Sequence, residues 1–318
     1  MPPAYDLLVI GDANPDVILG PLTDPLAFGQ REQLIDSGSL VLGGSAAIMA
    51  CGAARLGLKV AFAGRVGDDD AGRYVRDALA DRGVDTHALT LDPDLSTPLT
   101  VVLTRGDDRA VLTAPGSLTA TSGRDVPDDL LTRSRHVHCA SYFLQPRLAA
   151  DLPGLLRTAR AHDATTSLDT QDVPTGAWDR AALDAVLAET DILLPNAQEA
   201  LCLAGPGTAS PQHAAELLAA RVPLVVVKNG AEGALCHDGR TLATAPAPTL
   251  TPQDTVGAGD SFDAGFVAAT LHGRPPHEAL RFAAVCGALS TRAPGGTAAQ
   301  PTWDEVLAHT TLSGAHVS

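Results

Sequence analysis

The sequence has little of several residue types that mark particular classes of protein. Lysine occurs only at positions 59 and 228 of the 318 residues, and neither lysine follows a glycine as a Walker-type phosphate loop requires. Lys and Arg together number 22 against 37 Asp and Glu, so the net charge is −15, and no basic run is present. Such a chain repels phosphate backbones and anionic lipids, so we expect neither a nucleic-acid nor a membrane partner.

Cysteine patterns and long apolar runs are absent as well. The five cysteines are far apart, odd in number and free of any C-x-x-C pair, which argues against zinc and against a disulfide framework. No apolar run approaches the roughly 18 residues of a membrane-spanning helix, and the N-terminus carries no basic segment. We therefore expect a reduced, cytoplasmic location.

The remaining composition is that of a folded chain, with 45% hydrophobic and 19% charged residues. The apolar run 7–10 reads as a buried parallel strand, and residues 46–57 read as a helix of small residues. Further strand patterns alternate with helical ones, at 60–64, 136–140, 166–169, 191–196 and 224–228. This alternation predicts a parallel sheet in an α/β fold.

Two segments, about 16–41 and 97–115, carry strand patterns without helices between them. In the second, residues 99–104 and 109–113 flank a turn at 105–108. We expect a small antiparallel sheet that serves as a lid or as a dimer interface. Arg109 on this sheet would contact an acceptor or face solvent.

The most informative segment runs from Asp254 to Phe262, Asp-Thr-Val-Gly-Ala-Gly-Asp-Ser-Phe, and leads into a helical pattern. Glycines at 257 and 259 let backbone N–H groups converge on one point at a helix N-terminus, which favours an anion. Asp260 beside that point makes sense as a base that takes a proton from an attacking hydroxyl group.

Other interpretations of this segment are weaker. Asp260 could simply cap a helix. A dinucleotide fingerprint needs glycine where the chain has Phe262, and belongs after the first strand. A hydrolase with Ser261 as nucleophile needs a C-terminal Asp-x-x-His pair, and Asp304 and His309 have the wrong spacing.

The 254–262 segment resembles the C-terminal signature of the ribokinase-like, or phosphofructokinase-B, carbohydrate kinases, and Gly43-Gly44-Ser45-Ala46 resembles their N-terminal di-glycine signature. The similarity spans nearly the whole chain and implies one domain over residues 1–318, with a doubly wound α/β/α ribokinase-like fold and a small β-sheet lid. It implies that Asp260 is the catalytic base and that the backbone of Gly257, Ala258 and Gly259 forms an anion hole for the γ-phosphoryl group of ATP.

The resemblance also implies a nucleotide side. Asn196 and Glu199 match an N-x-x-E element that supports Mg²⁺ and the phosphates, with Glu199 acting through water. A weaker alternative is that Asn196 is only a helix cap. Backbone carbonyls near Asp254 and Val256 would hold a monovalent cation such as K⁺. Further nucleotide-binding positions are Lys228, Gly230, Gly233, Thr255 and Gly287, of which the first three also fit an ordinary strand-to-turn transition.

On the acceptor side the resemblance points to Asn14 and Asp16, whose carboxylate suits two neighbouring sugar hydroxyls, although Asp16 could also be a turn residue. Gly43 and Gly44 would let the sugar approach the backbone. Gln145 stands where ribokinases have an acidic sugar contact.

The chain departs from ribokinases in other ways. Ile48 replaces an Asn, and an arginine typical of members acting on acidic sugars is missing, which counts against an acidic sugar or a sugar phosphate. We therefore expect a kinase for a small sugar. A nucleoside kinase remains open because Tyr142 and Phe143 could stack on a base, and a non-catalytic sugar-binding protein is a more distant alternative.

Overall fold

The structure, a computed structural model, describes residues 3–106, 108–171 and 179–313, and the side chains up to residue 310. Within these ranges the chain forms thirteen strands and ten α-helices. The strands are β1 (Tyr5–Ile10), β2 (Asn14–Gly20), β3 (Ser37–Gly43), β4 (Val60–Gly67), β5 (Asp85–Asp92), β6 (Leu99–Arg105), β7 (Asp108–Ala114), β8 (Ser134–Cys139), β9 (Thr165–Leu168), β10 (Ile192–Leu193), β11 (Leu224–Lys228), β12 (Ala234–His237) and β13 (Leu242–Ala245). The helices are α1 (Ser45–Arg55), α2 (Asp70–Ala80), α3 (Asp128–Thr132), α4 (Pro146–Arg160), α5 (Arg180–Leu187), α6 (Ala197–Ala204), α7 (Pro211–Leu218), α8 (Ala258–Leu271), α9 (Pro276–Ser290) and α10 (Trp303–Ser313).

Nine strands form a large sheet in the order β13-β12-β11-β10-β9-β8-β1-β4-β5. The strands from β11 to β5 are parallel, and β12 and β13 extend the sheet as antiparallel edge strands. Strand β1 is central and fully buried over Leu7–Ile10, as its continuous apolar run predicts. The carboxyl ends of the parallel strands meet at one edge of this sheet, where open α/β folds bind ligands.

Helices cover both faces of the large sheet. Leu7 and Val9 point into a core with Phe62, Phe266 and Phe282, shared with α1, α8 and α9. Their neighbours Leu8 and Ile10 point into the opposite core, which α4, α5, α6 and α7 cover. The α/β/α prediction is therefore confirmed, and no described helix is long and apolar enough to cross a membrane.

The two helix-free segments form a separate four-stranded sheet, ordered β3-β2-β6-β7, which we call the small sheet. Strands β2/β3 and β6/β7 are antiparallel, but β2 and β6 pair in parallel, with Asp16 opposite Thr100 and Val17 opposite Val101. The prediction of an antiparallel sheet is thus wrong for the central pair. The two hairpins come from distant parts of the chain, so local sequence does not determine how they join.

Other local predictions differ in extent. The strand predicted at 191–196 is limited to Ile192–Leu193, followed by a bridge between Asn196 and Lys228. His136 and His138 on β8 are buried and hydrogen-bonded to Thr165 and Ser167, so they are structural rather than metal ligands. All five cysteines are free thiols, and Cys202 is the exposed one.

Candidate active site

A cavity of about 860 Å³ opens where β9 and β11 end and α6 and α8 begin. Most of the predicted nucleotide and phosphate residues line it: Asn196, Glu199, Lys228, Gly230, Gly233, Thr255, Gly257, Ala258, Gly259, Asp260 and Gly287. Exposed Arg109 from the small sheet and Ser45 from α1 complete the wall. The predicted residues Asn14, Asp16, Gly43, Gly44, Gln145, Asp254 and Val256 lie outside this lining.

A tight turn at Gly257 starts α8 beside the cavity. Gly257 precedes the helix with φ 72°, and a Cβ there would lie 2.6 Å from the Cα of Gly296. This position therefore requires glycine for both conformation and space. The first N–H groups of a helix have no acceptor within the helix, so those that follow Gly257 provide donors for an anion. The predicted glycine turn at a helix start is present in the structure, and phosphate binding at this turn stays a prediction.

Asp260 lies in the first turn of α8 and is half-buried. Burial raises the pKa of its carboxyl to about 8, Asp169 and Asp12 add to the rise, and Lys228 and a hydrogen bond from Ser45 oppose it. A carboxyl group with a pKa near neutral is suited to accept a proton from a hydroxyl group. The local chemistry of Asp260 therefore agrees with the predicted role of a base.

Lys228 occupies the end of β11 and bridges two buried carboxylates. Its Nζ lies 3.0 Å from Asp169 Oδ2 and 2.9 Å from Asp263 Oδ2. Burial alone would lower the pKa of Lys228, but the two carboxylates raise it above its ordinary value, so the ammonium group stays charged. Lys228 thus brings one positive charge to the cavity floor beside Asp260.

Asn196 and Glu199 form a reciprocal cap at the start of α6. The Glu199 N–H donates to Asn196 Oδ1 and the Asn196 N–H donates to Glu199 Oε2, both at 2.9 Å, and Asn196 Nδ2 lies 2.5 Å from Glu199 Oε1. The cap interpretation of Asn196 is therefore confirmed. Glu199 also lines the cavity, where a carboxylate group suits Mg²⁺ through water.

On the acceptor side, Asp16 lies on β2 and is 7% exposed. Asn14 Nδ2 donates to Asp16 Oδ1 over 2.7 Å, and burial raises the pKa of Asp16 to about 6. A Cβ at Gly43 would come within 2.2 Å of the Asp16 carboxylate. Gly43 therefore makes room for the Asp16 carboxylate, and the approach of a sugar to Gly43 stays a prediction.

Gly44 likewise makes room for backbone: a Cβ there would lie 2.8 Å from the Ala13 Cα and from the Asp12 carbonyl oxygen. Gln145 is fully buried, and its Nε2 donates to the carbonyl oxygens of Ala140 at 3.1 Å and Ser141 at 3.3 Å. The Gln145 side chain thus supports the 140–141 turn, and the sugar contact predicted for Gln145 stays a prediction.

The loop around Asp254 packs against the loop after α9. Asp254 accepts hydrogen bonds from the N–H groups of Val256 at 2.9 Å and Gly295 at 2.8 Å, and Thr291 O accepts from the Asp254 N–H. The Asp254 side chain therefore ties the two loops together. A monovalent cation held by their carbonyl groups stays a prediction.

A comparison with known proteins agrees with these features. The family model described as pfkB family carbohydrate kinase matches residues 5–303. The chain belongs to this family. It is a carbohydrate kinase, a phosphotransferase that acts on a sugar hydroxyl group.

Two curated relatives and one solved structure show the range of this similarity. The chain is 31% identical to the ATP-dependent ribose-1-phosphate kinase of Halopiger xanaduensis, across 95% of this chain and 97% of that protein. It is 30% identical to the fructokinase of Klebsiella pneumoniae, across 83% and 90%. The structure of Arabidopsis thaliana ribokinase complexed with ribose and ATP superimposes with a TM-score of 0.81, 25% identity and coverage of 97% and 98%.

This carbohydrate kinase also has a hydrogen-bond network that sequence reasoning missed. Buried Asp12, just after β1, accepts from the N–H groups of Ser45 and Ala46 at 3.1 and 3.0 Å and from Ser141 Oγ at 2.8 Å. Ser141 also bonds to Gln171, whose Nε2 donates to Ser45 Oγ at 3.1 Å. Ser45 also lowers the pKa of Asp260, so the network extends from the end of β1 towards the proposed base.

Two residues of this network, Ser141 and Gln171, have left-handed backbone conformations, with φ values of 56° and 58°. Such conformations are strained for residues other than glycine and cluster at functional sites. The available signal in the sequence was the position of Asp12 and Asp169 after strands β1 and β9, at the ligand-binding edge of the sheet.

Proposed function

We propose that the protein transfers the γ-phosphoryl group of ATP to a hydroxymethyl group of a small, neutral sugar. The observation that supports this most is the position of Asp260, a carboxyl with a raised pKa in the first turn of α8, on the wall of a cavity with Asn196, Glu199 and Lys228. The sugar oxygen attacks the γ-phosphorus, its proton passes to Asp260, and the bond to the leaving oxygen of ADP breaks.

Each group of the cavity has a separate task in this reaction. The N–H groups at the start of α8 and the Lys228 ammonium stabilise the charge on the transferring phosphoryl group. Glu199 would hold Mg²⁺, which neutralises phosphate charge when bound. We also propose that the carbonyl groups near Asp254 and Val256 bind K⁺, that the small sheet acts as a lid, and that the protein is cytoplasmic.

The charges near the acceptor favour a neutral sugar. Asp12 acts on both Asp16 and Asp260, so several carboxyl groups lie close together in this part of the site. A phosphate on the acceptor would be repelled by these carboxylates. Because one relative is a ribose-1-phosphate kinase, an assay should compare a neutral sugar with a phosphorylated acceptor.

The positions of Tyr142 and Phe143 make a nucleoside acceptor less favoured. The sequence left this acceptor open because the two rings could stack on a base. Tyr142 is only 3% exposed, and Phe143 packs edge-on against it with ring centroids 4.9 Å apart. The Tyr142 ring is therefore not available to stack on a base.

We would test the proposal by ADP release from ATP and Mg²⁺, with and without K⁺, across pentoses, hexoses, ketoses, nucleosides and ribose 1-phosphate. We expect turnover with a neutral sugar, and Asp260→Asn should lower kcat about a hundredfold to ten-thousandfold because it removes the base. ATP binding by calorimetry should change little. Normal turnover in Asp260→Asn, or a preference for ribose 1-phosphate, would contradict the proposal.

A further inference from the structure

The wall of the cavity around Asp260 has several groups that accept hydrogen bonds and few that donate them. Asp169 and Asp260 both line this wall, and an ionised carboxyl group only accepts. Lys228 lies there too, but two of its three ammonium hydrogens are directed at Asp169 and Asp263. A cyclic sugar presents hydroxyl groups, which can donate, and a ring oxygen, which has no hydrogen. The ring oxygen therefore needs a donor that carboxylates do not supply.

The amide group of Gln171 is a donor on the same wall. Gln171 follows β9, is half-buried and lines the cavity together with Ser45. Its Nε2 donates to Ser45 Oγ at 3.1 Å, and its Oε1 accepts from Ser141. Among the residues that the structure describes, the side chain has no further hydrogen-bond partner. An amide nitrogen carries two hydrogens, so one of them is left for a molecule in the cavity.

Two connections place Gln171 next to the proposed base. The Gln171 N–H donates to Asp169 Oδ1 at 3.3 Å, and oxygen atoms of Asp169 and Asp260 lie within 4.8 Å of each other. On the other side, Ser45, which accepts from the Gln171 amide, also acts on Asp260. In a cyclic sugar, two carbon atoms separate the ring oxygen from the hydroxymethyl oxygen that attacks the phosphorus. A group that binds the ring oxygen must therefore lie beside the base, as Gln171 does.

The orientation of the Gln171 amide is fixed from its buried side. Ser141 and Gln171 both have left-handed backbone conformations, which persist where the surroundings impose them. Fully buried Ser141 connects Gln171 Oε1 to the Asp12 carboxyl, which also accepts from N–H groups at the start of α1. The carbonyl end of the amide is thus held in the interior, and the NH₂ end faces Ser45 and the cavity.

We propose that Gln171 binds the acceptor and selects cyclic sugars, because its remaining amide hydrogen donates to the ring oxygen beside the hydroxymethyl group. Ser141 and Asp12 are positioning residues that hold the amide in this orientation. The inference rests on the proposed function, since it takes Asp260 as the base and a sugar as the acceptor. Sugar binding can nevertheless be measured without ATP, when no transfer takes place.

The test compares a sugar with an analogue that lacks the ring oxygen. The probes are D-ribose, D-fructose and the cyclopentane analogues of their furanose forms, in which CH₂ replaces the ring oxygen, and calorimetry gives each Kd. Wild type should bind the better of the two sugars at least about tenfold more tightly than its analogue, which leaves the amide hydrogen unpaired. Gln171→Leu and Gln171→Glu both remove the donor, so this preference should fall below about twofold.

Gln212→Glu is the matched control, since it makes the same change at an exposed position of α7. Its preference for the sugar should equal that of wild type. Ser141→Ala leaves the amide in place but frees its carbonyl end, so the preference should weaken by about threefold while the KM for ATP stays unchanged. A purely structural role of Ser141 would lower stability and leave the preference as it is.

A tenfold preference that persists in either Gln171 variant, or that is missing in wild type, would overturn the proposal. Should one of the two variants fail to fold, the other decides by the same criterion. An unchanged preference in Ser141→Ala would overturn the positioning role of Ser141.

Sugar turnover separates this inference from the proposed function. If the preference depends on Gln171 as expected but no sugar is phosphorylated, the acceptor contact is correct and the proposed reaction is wrong. If sugars are phosphorylated and both Gln171 variants keep the wild-type KM for the sugar, the reaction stands and the contact is wrong. Binding of neither probe sugar by wild type would contradict both.

Discussion

Asp16 and Asp260 are two aspartates that we propose for one site, and their carboxyl groups differ in pKa. Burial raises the pKa of both carboxyl groups. A hydrogen bond from Asn14 limits the pKa of Asp16 to about 6, whereas Asp169 helps to raise the pKa of Asp260 to about 8. At neutral pH Asp16 is mainly a carboxylate, whereas Asp260 is mainly protonated and loses its proton as the pH rises past about 8. Such a separation assigns different roles to similar groups: Asp16 suits hydrogen-bond acceptance and Asp260 suits proton transfer.

The pKa of Asp16 predicts how acceptor binding depends on pH. Below pH 6 the Asp16 carboxyl becomes protonated and loses a hydrogen-bond acceptor, so affinity for the sugar should weaken by up to about tenfold per pH unit. Calorimetry in the Asp260→Asn background removes the second titration. Adding Asp16→Asn to that background should give weak binding with no pH dependence between 5 and 8. A wild-type-like pH profile in that double variant would exclude Asp16 as the acceptor ligand.

At the scale of elements, α6 combines a structural and a functional task at its first turn. The Asn196–Glu199 cap satisfies N–H groups that a helix start leaves without partners. The same two side chains line the cavity. Stability and nucleotide binding should therefore both respond to substitutions here, and the two effects can be separated.

Asn196→Ala should lower the free energy of unfolding by about 1 kcal/mol. Asn196→Ser should retain most of the wild-type stability because serine also caps helices. Both variants should raise the KM for ATP. The control is Asp179→Ala, which removes the N-cap of α5, where Asp179 accepts from the N–H groups of Ala181 and Ala182. The control should lose stability with an unchanged KM. A normal KM for ATP in Asn196→Ala would show that Asn196 caps α6 and does not bind the nucleotide.

Elements of this fold were more predictable than their contacts. The apolar run of β1 and the Gly257 turn are local patterns, and both formed as expected. The parallel pairing of β2 with β6 was missed because period-two alternation does not specify a partner. Gln145 was placed in the site by its position in the sequence, but its orientation depends on the tertiary packing that buries it.

The ion pairs of Lys228 with Asp169 and Asp263 were not predicted, for a related reason. Asp169, Lys228 and Asp263 are separated by 59 and 35 positions in the sequence, and only the convergence of β9, β11 and α8 brings them together. Each residue alone has an ordinary surface interpretation. The two aspartates are buried around the Lys228 ammonium group, and a single sequence does not show that burial.

At the scale of the whole molecule, one face of the small sheet is exposed among the residues that the structure describes. Leu40, Val17, Val101 and Leu112 stand opposite one another on adjacent strands and therefore share a face, opposite to the face that carries Asp16. Leu40 and Leu112 are 55% and 57% exposed. A continuous apolar row across four strands favours contact with a second copy of the chain, as we expected for the lid segments.

We therefore predict that the protein forms a dimer through this face. Leu112→Glu would bury charges in the interface and should shift the mass in sedimentation velocity from dimer to monomer at micromolar concentration. Leu217→Glu is the matched control, because Leu217 is 42% exposed but lies on α7. A control that stays dimeric beside a monomeric Leu112→Glu assigns the interface to the small sheet. If wild type is monomeric, or if Leu112→Glu remains dimeric, the exposed row does not join two copies, and the small sheet closes over the cavity of its own chain alone.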